Sequence, residues 1–166
     1  MNTLEMAMKM EEDAISFYEE AAKKTKYPAG KKMFGTIVED EKRHVETITR
    51  IIKGLHITDK DVSPINNVKS VFDGMKSDMM KKVKASPDEL DAFKIAMKME
   101  QESVEFYKNA LKKTTTEKEN VLLERLIQEE KEHYEIFSNT YQFLANTGSW
   151  FLWEERAILD GGTPWA

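Results

Sequence analysis

The sequence lacks cysteine and has few residues that break helices. Without cysteine among its 166 residues, this sequence has no disulfide bonds, thiolate metal sites, iron–sulfur clusters or thiol nucleophiles. It has only four prolines and seven glycines, and each proline falls between segments whose apolar residues recur with a helical period. Strand-like alternation is hard to find. These observations predict an all-α fold and fit a reducing compartment.

Long apolar runs and basic clusters are also missing. No stretch reaches the roughly 20 apolar residues that a bilayer-spanning helix needs, and residues 1–10 lack the cationic-then-apolar pattern of a signal peptide. The net charge is −5, and no basic run is interleaved with aromatic residues. We therefore expect a cytoplasmic protein that binds neither nucleic acid nor membranes.

An internal repeat organises the chain. Residues 7–25 read AMKMEEDAISFYEEAAKKT and residues 96–114 read AMKMEQESVEFYKNALKKT, which is identity at 11 of 19 positions with an offset of 89. The offset continues into EKRH at 41–44 and EKEH at 130–133. Such repetition indicates duplication of one structural unit. It predicts two helical hairpins, at about 2–54 and about 86–147.

Capping sequences mark the predicted helix ends. Asn2 and Glu5 have the spacing of a capping box at the start of the first helix. Pro28 and Pro87 suit the first position of the second and third helices, and Gly54 suits the end of the second. The loops inside each hairpin are short, so each pair of helices is predicted to be antiparallel.

The connection between the hairpins, about 55–85, is long enough to cross the length of a bundle. It is predicted to contain a short helix near 68–83. Four helices with one long crossover have the topology of ferritin-like four-helix bundles, so residues 1–147 are predicted to form one such domain. In the tail, 148–166, the segment 149–159 carries tryptophans and is predicted to form a short helix. This helix is predicted to pack on the bundle or on a second subunit, which makes a homodimer plausible.

Ionisable residues interrupt the predicted inward stripe of every helix. On the first helix the stripe is Leu4, Met8, Glu11, Ile15, Tyr18 and Ala22. A buried carboxylate costs several kcal/mol unless it is compensated, and the sequence offers no matching set of inward Lys or Arg. Two divalent cations would balance four carboxylates, and neutral imidazoles would complete the coordination. The predicted metal ligands are Glu11, Glu41, His44, Glu100, Glu130 and His133.

This ligand pattern is typical of di-metal carboxylate bundles, which use one Glu from each of two helices and Glu-x-x-His from each of the other two. Oxygen and imidazole donors without sulfur suit two iron or manganese ions, and zinc also fits. Glu41 and Glu130, each paired with a histidine on its own helix, are predicted to bridge the ions. The remaining acids beside the ligands are predicted to be surface charges: Glu12, Glu39, Glu129 and Glu132.

Tyr18 and Tyr107 have two interpretations. They are core aromatics, or their hydroxyls donate to a ligand carboxylate on a neighbouring helix.

At these residues the chain resembles the rubrerythrin group of the ferritin-like superfamily. The resemblance rests on Glu followed seven residues later by Tyr in both halves, together with EKRH and EKEH, and it covers about 4–144. It implies a carboxylate-bridged di-iron centre that reduces peroxide or dioxygen in oxidative-stress defence.

The sequence departs from that group in two ways. Rubrerythrins typically carry a cysteine-rich rubredoxin module, so the absence of cysteine implies a separate electron-donor protein, rubredoxin-like or other. They also carry an extra Glu three residues after the third-helix ligand, where this chain has Ser103, and that Glu is linked to peroxidase cycling. Two alternatives stay open: non-catalytic ferritin-like iron sequestration or delivery, and a structural bundle whose metal is incidental.

Overall fold

Four long helices make up the described part of the chain. The computed structural model describes residues 2–26, 28–54 and 87–145. Its helices are α1 Thr3–Lys24, α2 Pro28–Ile52, α3 Pro87–Leu111 and α4 Glu117–Ala145. No strand occurs within these ranges, and the predicted all-α bundle is confirmed. None of the described helices is long and apolar enough to cross a membrane. The predicted crossover with its short helix, and the C-terminal helix, lie outside the described residues.

The helix ends have the capping residues that the sequence predicts. The backbone N–H of Glu5 donates to Asn2 Oδ1 at 2.9 Å, and the backbone N–H of Asn2 donates to Glu5 Oε2 at 2.8 Å. This reciprocal pair satisfies two amides at the start of α1. Pro28 and Pro87 are the first residues of α2 and α3. Gly54, just beyond α2, has a φ of 66°, a conformation that favours glycine.

The helices pack as two hairpins. Only residues 25–27 separate α1 from α2, and only 112–116 separate α3 from α4, so each pair runs antiparallel. α1 packs along α2 and α3 packs along α4, while α1 against α3 supplies most of the contact between the hairpins. The repeat in the sequence is therefore a repeat in the structure.

Two apolar clusters fill the interior. The first contains Phe34, Phe93 and Phe137, with ring centroids of Phe34 5.2 Å from Phe93 and 5.4 Å from Phe137. The second is mainly aliphatic and includes Ile48 and Leu123. On every helix the predicted metal ligands fall between the residues of one cluster and those of the other. The clusters therefore flank the candidate site on both sides.

The most buried line of α1 differs from the predicted stripe. Glu11 and Tyr18 are buried as expected, but they alternate with Ala7, Ala14 and Ala21. The larger predicted members between them are only partly buried. Alanines at this spacing allow close approach of neighbouring helices, and longer side chains then pack at the edges of the contact.

Candidate metal centre

The six predicted ligands come together in the middle of the bundle. Each of the four glutamates is 1% exposed and each of the two histidines is 2% exposed. Such burial places four carboxylates inside an apolar interior, where an uncompensated charge costs several kcal/mol.

The ligand atoms form two overlapping groups of four. Within each group, one atom per residue can be chosen so that all lie within 4.8 Å of one another. The first group is Glu11, Glu41, His44 and Glu130, and the second is Glu41, Glu100, Glu130 and His133. Glu41 and Glu130 belong to both groups. These two carboxylates therefore lie where the sequence predicts bridging ligands.

Several buried polar atoms at the centre lack a hydrogen-bond partner among the described residues. They are both carboxylate oxygens of Glu41, Oε1 of Glu130, and Nδ1 of His44 and of His133. Native proteins pair nearly all buried polar atoms. Here carboxylate oxygens and imidazole nitrogens converge without hydrogen bonds between them. Iron, manganese and zinc bind this set of donor atoms. The residues present thus fit two divalent cations.

Each imidazole has an acid behind it. Nδ1 of His44 faces the centre, 2.9 Å from Glu41 Oε2, while its Nε2 lies 2.6 Å from Glu129 Oε2. Nδ1 of His133 lies 3.1 Å from Glu41 Oε1, and its Nε2 lies 3.2 Å from Asp40 Oδ2. An imidazole that donates from Nε2 to a carboxylate keeps Nδ1 unprotonated, which is the tautomer that binds a metal.

The prediction that Glu129 is a surface charge is wrong. Glu129 is only 6% exposed. Asp40, for which the sequence predicted no role, is only 5% exposed. Both face histidines across the bundle, since α2 supplies the partner for α4 and α4 the partner for α2. The overlooked signal is in the repeat: Asp40 and Glu129 are 89 residues apart, each immediately before a ligand glutamate. Glu12 and Glu39 are exposed as predicted, and Glu132 is partly exposed.

The two tyrosines connect the hairpins. The Tyr18 hydroxyl on α1 donates to Glu100 on α3, and the Tyr107 hydroxyl on α3 donates to Glu11 on α1. Both tyrosines are fully buried and also pack within the apolar clusters. The two interpretations from the sequence therefore coexist in the same side chains.

Three carboxyls of the centre differ in pKa because their surroundings differ. Burial, followed by the charge of Glu41, raises the pKa of Glu11 from 4.5 to about 8. Burial and the charge of Glu41 also raise the pKa of Glu130. Burial opposes ionisation of Glu41 too, but the charges of His133 and His44 outweigh it and lower the pKa of Glu41. Without a cation, protons shared among these groups compensate the buried charge.

Comparison with known proteins agrees with this arrangement. The rubrerythrin family model matches residues 2–141. The chain belongs to the rubrerythrin family. No curated protein and no solved structure is significantly similar to it. As a rubrerythrin-family bundle with a buried carboxylate and histidine cluster, the protein has the residues of a di-metal site.

One position separates this chain from the rubrerythrin pattern stated above. Ser103 is buried on α3, one turn after Glu100, where that pattern has an additional glutamate. Its equivalent in the first repeat is the buried Ala14. Both halves therefore place a small residue one turn after the first ligand, so the two sites have matched sets of carboxylates.

Proposed function

We propose that this protein binds two iron ions between its four glutamates and two histidines and reduces hydrogen peroxide or dioxygen in oxidative-stress defence. The observation that carries the proposal is the pair of four-residue groups that share Glu41 and Glu130. Carboxylates shared by both groups would hold two metal ions, and membership of the rubrerythrin family supports peroxide or dioxygen as the oxidant.

Charge supports two ions rather than one. Four ionised glutamates carry four negative charges, two divalent ions carry four positive charges, and neutral imidazoles add none. The largely buried Arg43 pairs with the outer acids Asp40 and Glu129, and these two ion pairs do not involve the ligand carboxylates. A pair of cations therefore compensates the buried charge.

Peroxide reduction needs two electrons and two protons to form two water molecules. The four glutamates and two histidines would hold two ferrous ions, and these would supply the two electrons on oxidation to the ferric state. The protein's own side chains hold the site in place: the tyrosine hydroxyls orient Glu100 and Glu11, and the outer acids orient both imidazoles. The apolar clusters on both sides limit the entry of bulk water.

Electrons for the next cycle come from outside this sequence, because its 166 residues contain no cysteine to hold a rubredoxin-type iron. A separate rubredoxin-like donor protein fits this requirement.

Rapid mixing of the anaerobic di-ferrous protein with peroxide tests the function. We expect oxidation of two irons per chain, seen as ferric absorption, at a rate well above that of free ferrous iron. Glu12→Gln, which changes an exposed acid next to a ligand, serves as the matched control and should react like the native protein. Oxidation no faster than free iron would exclude the peroxidase activity. Parallel mixing with dioxygen identifies the preferred oxidant.

Iron titration separates this activity from ferritin-like storage. The proposed enzyme saturates at two ions per chain and turns over when a reductant is supplied. Uptake well beyond two ions per chain, without turnover, would instead support sequestration or delivery.

A further inference from the structure

One arginine contacts the acids behind both histidines. Nη1 of Arg43 donates to Asp40 Oδ1 at 2.7 Å, and its Nη2 donates to Glu129 Oε2 at 3.0 Å. The same two acids face the imidazole Nε2 atoms, Glu129 that of His44 and Asp40 that of His133. A continuous chain of polar contacts thus joins one imidazole to the other through a single guanidinium.

The arginine breaks the symmetry of the repeat. The ligands, the two tyrosines and the two outer acids all recur at the offset of 89, but the position equivalent to Arg43 is Glu132. Glu132 accepts a hydrogen bond from Gln128 at 2.8 Å at the surface of α4. The repeat therefore contains the outer acid twice and the arginine once, so a single guanidinium contacts the outer acids of both halves.

The contacts of Arg43 are largely buried, unlike ion pairs at the protein surface. The side chain of Arg43 is 16% exposed, and those of Asp40 and Glu129 are each 7% exposed. Ion pairs shielded from water are less weakened by solvent than exposed ones. The rigid, planar guanidinium can bind two carboxylates at fixed angles, which the single ammonium group of a lysine cannot reproduce.

We infer that Arg43 is a positioning residue for both metal sites, holding Asp40 and Glu129 so that both imidazoles present Nδ1 to the centre. This inference rests on the proposed metal binding. It makes the two sites interdependent, because loss of the guanidinium releases both outer acids together. Outer hydrogen bonds of this kind change metal affinity by about 10- to 100-fold in other proteins.

The direction of the change in metal affinity shows whether Arg43 acts by positioning the outer acids or through its positive charge. If Arg43 acted through its positive charge alone, Arg43→Gln would strengthen cation binding, and Arg43→Lys would leave it unchanged. Positioning predicts that both substitutions weaken binding, because both remove the two-carboxylate geometry. Lys42→Gln removes a neighbouring positive charge that pairs with partly exposed Glu19 and exposed Glu39, and it is the matched control.

The test is anaerobic titration of the metal-free full chain with cobalt(II), followed by visible absorption and calorimetry. Native protein and Lys42→Gln should bind two cobalt ions with affinities within about twofold of each other. Arg43→Lys and Arg43→Gln should bind each ion about 10-fold or more weakly. Native affinity in Arg43→Lys, tighter binding in Arg43→Gln, or weakening of one ion only would overturn the inference.

A second variant covers the case in which the arginine substitutions do not fold, as judged by circular dichroism. Glu129→Gln keeps size and shape, and its described imidazole contact is with His44. In the zinc-loaded protein we expect the Nε2–H signals of both histidines to exchange faster with water, because the shared guanidinium loses one of its anchors. A change confined to His44 would overturn the coupling. Native protein that binds no pair of ions would instead refute the proposed function itself.

Discussion

At the scale of single residues, the four ligand glutamates are not equivalent. Glu41 and Glu130 belong to both groups of ligand atoms, whereas Glu11 and Glu100 each belong to one. We expect Glu41→Ala or Glu130→Ala to abolish binding of both ions, and Glu11→Ala or Glu100→Ala to leave one ion bound. Elemental analysis of protein reconstituted without oxygen measures the number of ions per chain.

Exposed Glu12, which neighbours Glu11, provides the control for these substitutions. Glu12→Gln should retain two ions per chain. Retention of two ions in Glu41→Ala would contradict the bridging assignment, and so would loss of both ions in Glu11→Ala and Glu100→Ala alike.

Metal binding should release protons and strengthen as pH rises. Burial raises the pKa of Glu11 to about 8 and raises that of Glu130 as well, while Glu41, after the opposing effect of burial, raises the pKa of both histidines. At neutral pH a cation must therefore displace protons from its ligands. Affinity should therefore increase as pH rises from about 6 to about 8.

Calorimetry in two buffers with different ionisation enthalpies measures the released protons. Net release of protons at neutral pH is the expected result. An affinity independent of pH between roughly 6 and 8 would contradict the protonated state of the metal-free site.

At the scale of the helices, the tyrosines link α1 with α3 twice. Each hydroxyl donates across the hairpins to a ligand glutamate, so Tyr18→Phe and Tyr107→Phe each leave a buried carboxylate short of one donor. We expect each substitution to lower the free energy of unfolding by about 1 to 3 kcal/mol. Urea unfolding of the metal-loaded protein, with Tyr134→Phe on a partly exposed tyrosine as the control, checks this.

The repeat also predicts the relative size of the two effects. Because Tyr18 and Tyr107 occupy equivalent positions, their effects should be of similar size. No loss of stability in either variant would mean that the hydroxyls contribute nothing beyond ring packing.

The sequence predicted most of the elements because the signals were local. The capping box at Asn2, the prolines at the starts of α2 and α3, and the repeat itself depend on spacings of a few residues or on direct identity. The buried cluster of acids and histidines was predictable because acids in an apolar stripe demand compensation. These signals need no knowledge of how the helices pack.

The missed features depend on packing between helices. Glu129 was assigned to the surface because the predicted stripe was only as wide as one line of residues, yet α2 and α4 bury a wider face around the imidazoles. Asp40 and Arg43 matter only because Glu129 and His133 lie opposite them on another helix. The prediction also missed that alanines occupy the most buried line of α1. The apolar period of one helix does not reveal how closely its neighbours approach.

At the scale of the whole molecule, burial of the acids costs folding free energy, and the proposed metal binding would offset that cost. The four glutamates are fully buried at the boundary between the two apolar clusters. A ligand that binds only the folded state stabilises it by about 2.7 kcal/mol when its concentration is 100 times its Kd. We expect the melting temperature to rise with added iron(II) or zinc and to fall on chelation.

Glu41→Ala is the informative comparison, because it should abolish the metal-dependent shift in melting temperature. A native melting temperature that is unaffected by metal and chelator would indicate that the bundle does not use cations to compensate its buried acids.

The most direct measurement is a crystal structure of the protein loaded with iron(II) without oxygen, with diffraction data collected at the iron absorption edge. We expect two anomalous peaks per chain at the centre, one beside His44 Nδ1 and the other beside His133 Nδ1. Oxygens of Glu41 and Glu130 should contact both peaks. A centre that stays free of metal, a single peak, or iron bound only at the surface would contradict it.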